Sequence, residues 1–532
     1  MDKIINWFGL NNKINYRTEV LSGITVALAL VPSSIAFAMI AGFSPLIGLY
    51  TSFIFGVVAV IAGGRPAMIN ASAGAIAVIF VGLIDELKTN YPSISDESIL
   101  NYVFLTVIIG GVLQIIAGLF RLGKFMRLVP HSVLFGFLNG LAIIIFTSQL
   151  RHFYNIETGE LLAQNSLLIM ICFTAATMLL IWLFPKLTKA VPASLAAIII
   201  ITSVILGLGI DTQTVSDTLK EGQTINGSFP PLTIPNIPFT LDTLLLVLPY
   251  SVVLAIVGLL ETLLSLNIVD QMTGTRGNAN KECIAQGSAN FVSGFFSGMG
   301  GCTVLGQTLL NINNNARARL SSLVGASLIL IFILFGAEWV EMLPMAALVG
   351  LMFMVAVDTF QWSSLRIFKK MPKNDVIVMV LVTLITVFTH NLALAVLIGV
   401  LIAAVAFAWE NAKRIRARKH IDEAGVKHYD IYGPLFFGSI RDFETKFEIE
   451  EDPQEVVVNF MESRVSDMSA IEALNNLTSR YQKLGKKITL THLSPDCRKL
   501  LKNADKIIKI NVNEDPTYPV MLSTLNNAPL KE

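Results

Sequence analysis

Between Val20 and Glu410 the chain returns repeatedly to windows of about twenty mainly apolar residues, the length a helix needs to cross the hydrocarbon core of a bilayer. In lipid, backbone N–H and C=O groups must find partners within the segment, so such windows fold as helices. Composition agrees: 53% of the 532 residues are hydrophobic, 14% are charged, and mean hydropathy is +0.65, too apolar for a chain with a polar skin on every side. Fourteen segments are predicted, at about 20–42, 46–62, 68–86, 103–120, 129–149, 166–184, 191–210, 241–267, 283–299, 302–316, 320–337, 341–358, 374–390 and 392–410.

Loop charge gives a separate test of this count, because Lys and Arg accumulate in short cytoplasmic loops. With Met1 cytoplasmic, six loops should be basic: GGR (63–65), RLGKFMR (121–127), PKLTK (185–189), TGTRGNANK (273–281), ARAR (316–319) and RIFKKMPK (366–373). Together they hold 14 basic residues, whereas the loops assigned outside hold only Lys88, Arg151 and Lys220. The pattern predicts both termini on the cytoplasmic side of an inner membrane. Residues 1–19 are too polar for a signal peptide and read as a short amphipathic approach segment. The four cysteines show no CxxC and no histidine spacing, so neither a disulfide framework nor a zinc site is expected.

After residue 410 the character changes. The basic run at 411–424 reads as a linker lying against anionic head groups. Residues 425–520 alternate strand-like and helix-like runs, which predicts a small cytoplasmic α/β domain, with 521–532 as a tail. Ser469, three residues before Glu472, reads first as the N-cap of a capping box and second as a phosphorylation site at a helix start.

Two segments begin unusually. The third opens with Asn70, Ser72 and Gly74 among small residues, and the tenth with Gly298, Gly300, Gly301 and Thr303; each is too glycine-rich or too short for a plain spanning helix. Gly74 and Thr303 are 229 residues apart, as are Pro32 and Glu261. An offset of seven spans inverts the second copy, which predicts a seven-plus-seven inverted repeat with a substrate site near mid-membrane between paired broken helices. Helix starts that meet there present free N–H groups and positive dipole ends, a setting for a small anion. Glycines that merely let helices pack closely are the plainer alternative.

Glu261 stands inside LDTLLLVLPYSVVLAIVGLLETLLSLNIVD, where an unpartnered carboxylate is costly. Ser265 lies one turn on, with Thr262 and Asn267 nearby. Such a group can take a proton or, with hydroxyl and carbonyl oxygens, hold a sodium ion that offsets the charge of an entering anion.

The first-span stretch VPSSIAFAMIAGFSPLIGLYTS resembles the PQxxAYAxxAGxPPxxGLYTS signature of the SulP anion permeases (sulfate permease family), and the tail resembles their STAS domain; the resemblance runs from about Tyr16 to Val512. It implies fourteen spans in a seven-plus-seven inverted repeat, a core bundle and a gate bundle of spans five to seven and twelve to fourteen, a homodimer, and elevator-like motion of the core. It also implies anion contacts at Ser33 and Phe37, at Ala73, Gly74 and Ala75, and at Cys302, Thr303 and Val304. In the family's sodium-dependent bicarbonate transporters an acid in the eighth span is followed four positions later by a hydroxyl, and Glu261 and Ser265 are similar to that pair.

The departures point to substrate. Ser33 stands where many members carry glutamine, Ala75 where the third-span proline is usual, CTV in place of TGS, and Gln307 where many carry arginine. One missing positive charge weakens a site for a dianion more than for a monoanion. The expectation is therefore an anion transporter of the cytoplasmic membrane, favouring bicarbonate over sulfate and coupled to Na+ or H+ through Glu261. No cofactor is expected beyond sodium as coupling ion, and no nucleic acid. The partners expected are lipid, a second copy and a regulatory partner of the STAS domain. An uncoupled channel, or a carrier of dicarboxylates or nucleobase-like organic anions, stays open. No enzyme motif occurs within the spans.

Overall fold

In the computed structural model, residues 15–123, 130–154, 160–188, 192–218, 227–238, 240–367, 370, 372–389, 392–493 and 497 are described. The chain divides into two compact units, residues 1–400 and 401–532.

The first unit, with the opening residues of the second, is built from helices in the order expected of fourteen spans. They are α1 (Tyr16–Ile40), α2 (Pro45–Ala62), α3 (Gly74–Asn90), α4 (Asp96–Leu119), α5 (His131–Gln149), α6 (Gln164–Leu187), α7 (Ala193–Leu208), α8 (Leu241–Thr273), α9 (Ala279–Phe295), α10 (Leu305–Asn313), α11 (Leu320–Glu341), α12 (Met345–Thr359), α13 (Lys373–Thr389) and α14 (Leu392–Ala412). Among the described residues, seven apolar helices are long enough to cross a membrane unaided. The third and tenth are not: α3 follows a three-residue strand, β1 (Asn70–Ser72), and α10, nine residues long, follows β2 (Gly301–Thr303).

Caps fix several starts. Asn15 accepts from Thr18 N at 3.3 Å to open α1, and Thr240 accepts from Thr243 N at 3.2 Å to open α8. The 33-residue α8 ends at Gly274, whose φ of 66° is left-handed and stops the helix.

The helices sort into two bundles by what they pack against. In one, α1 and α2 pack on α11, and α9 lies against both α2 and α4, while α4 packs on α8. The other joins α5 to α12 and α13, and α6 to α7 and α12. Small residues permit the closest crossing, as membrane packing favours. A methyl on Gly111 of α4 would lie 2.5 Å from the Phe291 nitrogen of α9.

The expected N-terminal segment is shorter than residues 1–19, because α1 already includes Tyr16–Glu19. Glu19 is buried and its carboxylate accepts from Arg317 N at 2.6 Å, Ala318 N at 2.9 Å and Ser321 N at 3.1 Å, so it caps the entry to α11. Residues 1–14 lie outside the described residues.

The second unit carries the α/β domain. Four strands, β3 (Arg416–Ile421), β4 (Lys427–Leu435), β5 (Glu455–Val465) and β6 (Lys487–Thr491), pair in that order. The first pairing is antiparallel and the other two are parallel. The crossover from β5 to β6 is helix α15 (Met468–Lys483). It turns Ala470, Ile471, Leu474, Leu477 and Tyr481 onto Val456, Val458, Phe460, Ile488 and Leu490. Part of the stretch read as a linker at 411–424 is thus the edge strand β3. Its hydrogen-bonding partner β4 is apolar on one face only, so burial alternates and the edge strand itself reads as polar.

The N-cap of α15 is Asp467, which accepts from Ala470 N at 2.9 Å, and Ser469 is the second residue of the helix. This corrects the capping-box reading, because Asp467 already supplies the oxygen the helix start needs. The domain's polar centre is Asp452, fully buried, which takes Lys427 Nζ at 2.5 Å, Tyr429 OH at 2.9 Å, and Tyr481 OH. Residues 498–532, including the expected tail 521–532, lie outside the described residues.

Candidate substrate site

The starts of the third and tenth segments face each other. β1 and β2 pair antiparallel, Asn70 with Thr303, Ala71 with Cys302 and Ser72 with Gly301, and every residue of both strands is buried. Three residues a side would not hold in water. Here side chains from neighbouring helices complete the hydrogen bonding.

Asn290 of α9 accepts from Gly301 N at 2.9 Å and donates to Gly301 O at 3.2 Å and to Gln114 Oε1 at 2.9 Å. Gln286, one turn earlier on α9, donates to Asn70 Oδ1 at 2.7 Å, to Glu282 Oε1 at 3.1 Å and to Thr303 Oγ1 at 3.3 Å. Thr303 Oγ1 also donates to Asn70 Oδ1 at 2.7 Å. On the other side, Ser52 shares hydrogens with Ser34 at 2.7 Å and Ser72 at 2.9 Å.

Immediately beyond the paired strands the two helices start without side-chain caps. Ala73 precedes α3 and Val304 precedes α10, and neither carries an oxygen that could accept from the first turn. The first N–H groups of α3 and α10 therefore remain available, with the positive ends of both dipoles. Ala73, Gly74 and Ala75 are all buried. Phe37 of α1 closes over the α3 start, since a methyl on Gly74 would meet its Cε1 at 3.0 Å. Ser33, one turn earlier, is buried and donates to Leu30 O at 3.0 Å. The structure thus brings Phe37 and Gly74 together, and places Cys302 and Thr303 in the strand paired with β1. Val304 is half-buried, and its N–H donates to Ile69 O at 2.9 Å.

Glu261 is only partly buried and points into the protein toward β2, where Cys302 Sγ donates to its Oε2 at 2.8 Å. The neighbouring Thr262 Oγ1 accepts from Thr303 N at 3.2 Å, so two consecutive residues of α8 hold β2. Ser265 is buried on the same helix. Asn267 is exposed and does not share this environment, a correction that follows from helical spacing, since two residues beyond Ser265 lies another face. Gln307 is half-buried on α10, where it is Thr308 that accepts from Ile69 N at 3.0 Å. Among the described residues no group of three or more His, Cys, Asp or Glu side chains gathers as a metal site.

Sequence reasoning missed Gln286, Asn290, Gln114 and Thr308. The first two sit on α9, whose mixed polarity was the available signal; their partners lie from 4 to 216 residues away in sequence.

Residues 16–383 match the sulfate permease family, and residues 418–518 match the STAS domain. YbaR of Bacillus subtilis (strain 168) is 38% identical over 496 residues, which is 93% of this chain and 97% of YbaR. The bicarbonate transporter BicA of Picosynechococcus sp. is 31% identical over 412 residues, 74% of this chain and 71% of BicA. Among solved structures, the murine anion transporter Slc26a9 in its inward-facing state shares the fold with a TM-score of 0.79 at 19% identity, covering 94% of this chain and 89% of that one.

Proposed function

The chain belongs to the sulfate permease family and carries a C-terminal STAS domain, and on that premise we propose that it is a secondary active transporter of a small monovalent inorganic anion, bicarbonate before sulfate. The observation that carries this reading is the β1–β2 pairing, which sets two uncapped helix starts beside each other in the membrane unit. Uncapped N–H groups away from water need an acceptor, and an anion held between two positive dipole ends supplies it.

The choice of a monoanion rests on charge. Gln307 is neutral where many family members have arginine, so a dianion would find less compensation. The relatives include both the bicarbonate transporter BicA and the putative sulfate transporter YbaR, so it is the charge of this chain's own residues that orders the two anions.

Glu261 supplies the coupling. Its carboxylate reaches β2 through Cys302, so a proton or a sodium ion held there lies next to the strand that leads into one of the two helix tips. Sodium would take oxygens from Glu261 and from nearby hydroxyl or carbonyl groups, with Ser265 as the nearest candidate on the same helix face. In either case the cation lowers the cost of bringing an anion into a low-dielectric site, and the anion lowers the cost of the cation.

Alternating access then moves the bundle holding α1, α3, α8 and α10 past the bundle of α5–α7 and α12–α13. The separation of the helices into two packing groups supports this reading. We place the protein in the inner membrane with both termini cytoplasmic, on the contrast of 14 basic residues in one set of loops with three in the other, and take it to be a homodimer, as the family resemblance implies. We take the STAS domain to be its regulatory attachment, with Ser469, at the start of α15, as its modification point.

Uptake of labelled bicarbonate and of sulfate into proteoliposomes, each with and without imposed sodium and proton gradients, tests the proposal. Coupled transport predicts accumulation that follows one cation gradient and is lost in Glu261→Gln. Flux indifferent to both gradients would identify a channel, and competition by dicarboxylates or nucleobases an organic-anion carrier.

A further inference from the structure

Arg151 lies two residues beyond α5, in the short 3-10 turn Leu150–Phe153, on the side that loop charge assigns to the outside. It belongs to the gate bundle, and the turn is held there by aromatic stacking. Phe146 and Phe153 flank Phe353 of α12 with ring centroids 4.5 and 6.4 Å away.

The side chain of Arg151 reaches across to the other bundle. Its Nη2 donates to Met39 O, and to Ile40 O at 3.3 Å. These carbonyls close α1, and both residues are buried. The last carbonyls of a helix have no partners within it, and a cation there also meets the negative end of the dipole. Asp85 of α3 attracts the same guanidinium. The two core helices that Arg151 engages are thus α1, which carries Ser33 and Phe37, and α3, which begins at Gly74. Phe37 is two residues from Met39. One gate residue therefore ties down the outer end of the helix that brings Ser33 and Phe37 to the site, and Asp85 of α3 adds attraction to the same guanidinium. Arg151 as a residue is exposed, so water can replace these bonds when they break.

We propose that Arg151 is an outer latch: its hydrogen bonds hold the end of α1 against the gate bundle and must be released whenever the core moves to open the site outward. This rests on the moving-core reading above. Arginine suits the task because its planar fork meets two adjacent carbonyls at once, which a lysine ammonium on a flexible stem does less well.

Cys302 provides the reporter, since its thiol sits at the site beside Glu261. In the full-length protein with Cys172, Cys283 and Cys497 each changed to serine, Cys302 is the single thiol. A membrane-impermeant sulfonated methanethiosulfonate is added from the outer side of oriented vesicles, and the rate of Cys302 modification is followed. Arg151→Ala and Arg151→Gln should raise that rate roughly three- to tenfold, the range for one charge-assisted hydrogen bond in contact with water. Arg151→Lys, which retains the charge and the fold most conservatively, should raise it less. Equal rates in all four proteins would overturn the latch. Failure of the functional reading is seen separately, as absence of anion uptake by the unmodified chain.

Discussion

Gly301→Ala tests whether the strand crossing sets the site. A methyl group on Gly301 would lie 2.3 Å from the carbonyl oxygen of Ala71 and 2.9 Å from its carbonyl carbon. Both are backbone atoms of the paired strand, so no side chain can swing aside. Contacts of this kind are essentially never closer than 3.0 Å, and the shortfall, 3.0 − 2.3, means β1 and β2 must part by about 0.7 Å. Overpacking of this size costs about 1–3 kcal/mol. The displacement falls on the strand that leads into α3, and on the one that leads into α10. If the anion is held by those two tips, loss of about 1.4 kcal/mol in binding appears as a tenfold rise in KM. Gly207→Ala on α7 is the control, because a methyl there also meets nothing within 4 Å. Uptake kinetics in proteoliposomes, with thermal unfolding in detergent alongside, would measure both. We expect Gly301→Ala to raise KM about tenfold and lower the unfolding midpoint, and Gly207→Ala to match the parent. A Gly301→Ala protein with unchanged KM and unchanged midpoint would refute the claim that this crossing positions the site.

Glu261→Gln should leave anion binding measurable while removing the response of uptake to sodium or proton gradients; gradient-driven accumulation that survives the change would remove Glu261 from the coupling. Gln286→Leu deletes donors to Asn70, Glu282 and Thr303 and should cost about 1–3 kcal/mol of stability with a several-fold rise in KM, read from the same two assays. In the STAS domain, hydrogen bonds from Lys419 and then Lys427 hold the Glu448 carboxyl down to about 2. Because that folded value lies below the unfolded value of about 4.3, its contribution is complete above about pH 4.3 and is lost as pH falls toward 2. Limited proteolysis of the full chain should therefore show acid-sensitive nicking of this domain over that window, and Glu448→Gln should flatten that part of the profile.

The membrane topology was legible because each span needs only local information. Apolar length marks the helix and loop charge marks its ends, so the expected segment at 129–149 differs from the observed helix His131–Gln149 by two residues at its start. The broken third and tenth spans were legible as small-residue openings, and the 229-residue offset correctly related them, but their pairing as strands was not. A three-residue strand carries no periodicity to read, and its stability comes from Asn290 and Gln286, far away in sequence. The same applies to Glu19: a carboxylate near the chain start gives no sign that its acceptors serve backbone N–H groups about 300 residues later. Glu261 was found from its apolar surroundings, whereas the thiol of Cys302 that donates to it, 41 residues on in sequence, was not. In the STAS domain, β3 was hidden because an edge strand can be charged along its whole length.

The β1–β2 pairing also constrains how the protein is made. Ser72 leaves the ribosome 231 residues ahead of Thr303, and at about 5–20 residues per second that interval is about 12–46 s. Throughout it, the third segment sits in or at the membrane with an unpaired edge that no water can satisfy. Biogenesis of this chain thus requires something to shelter that edge until the later half arrives, and pauses in translation between the two segments should be where newly made protein is most exposed to quality-control proteases.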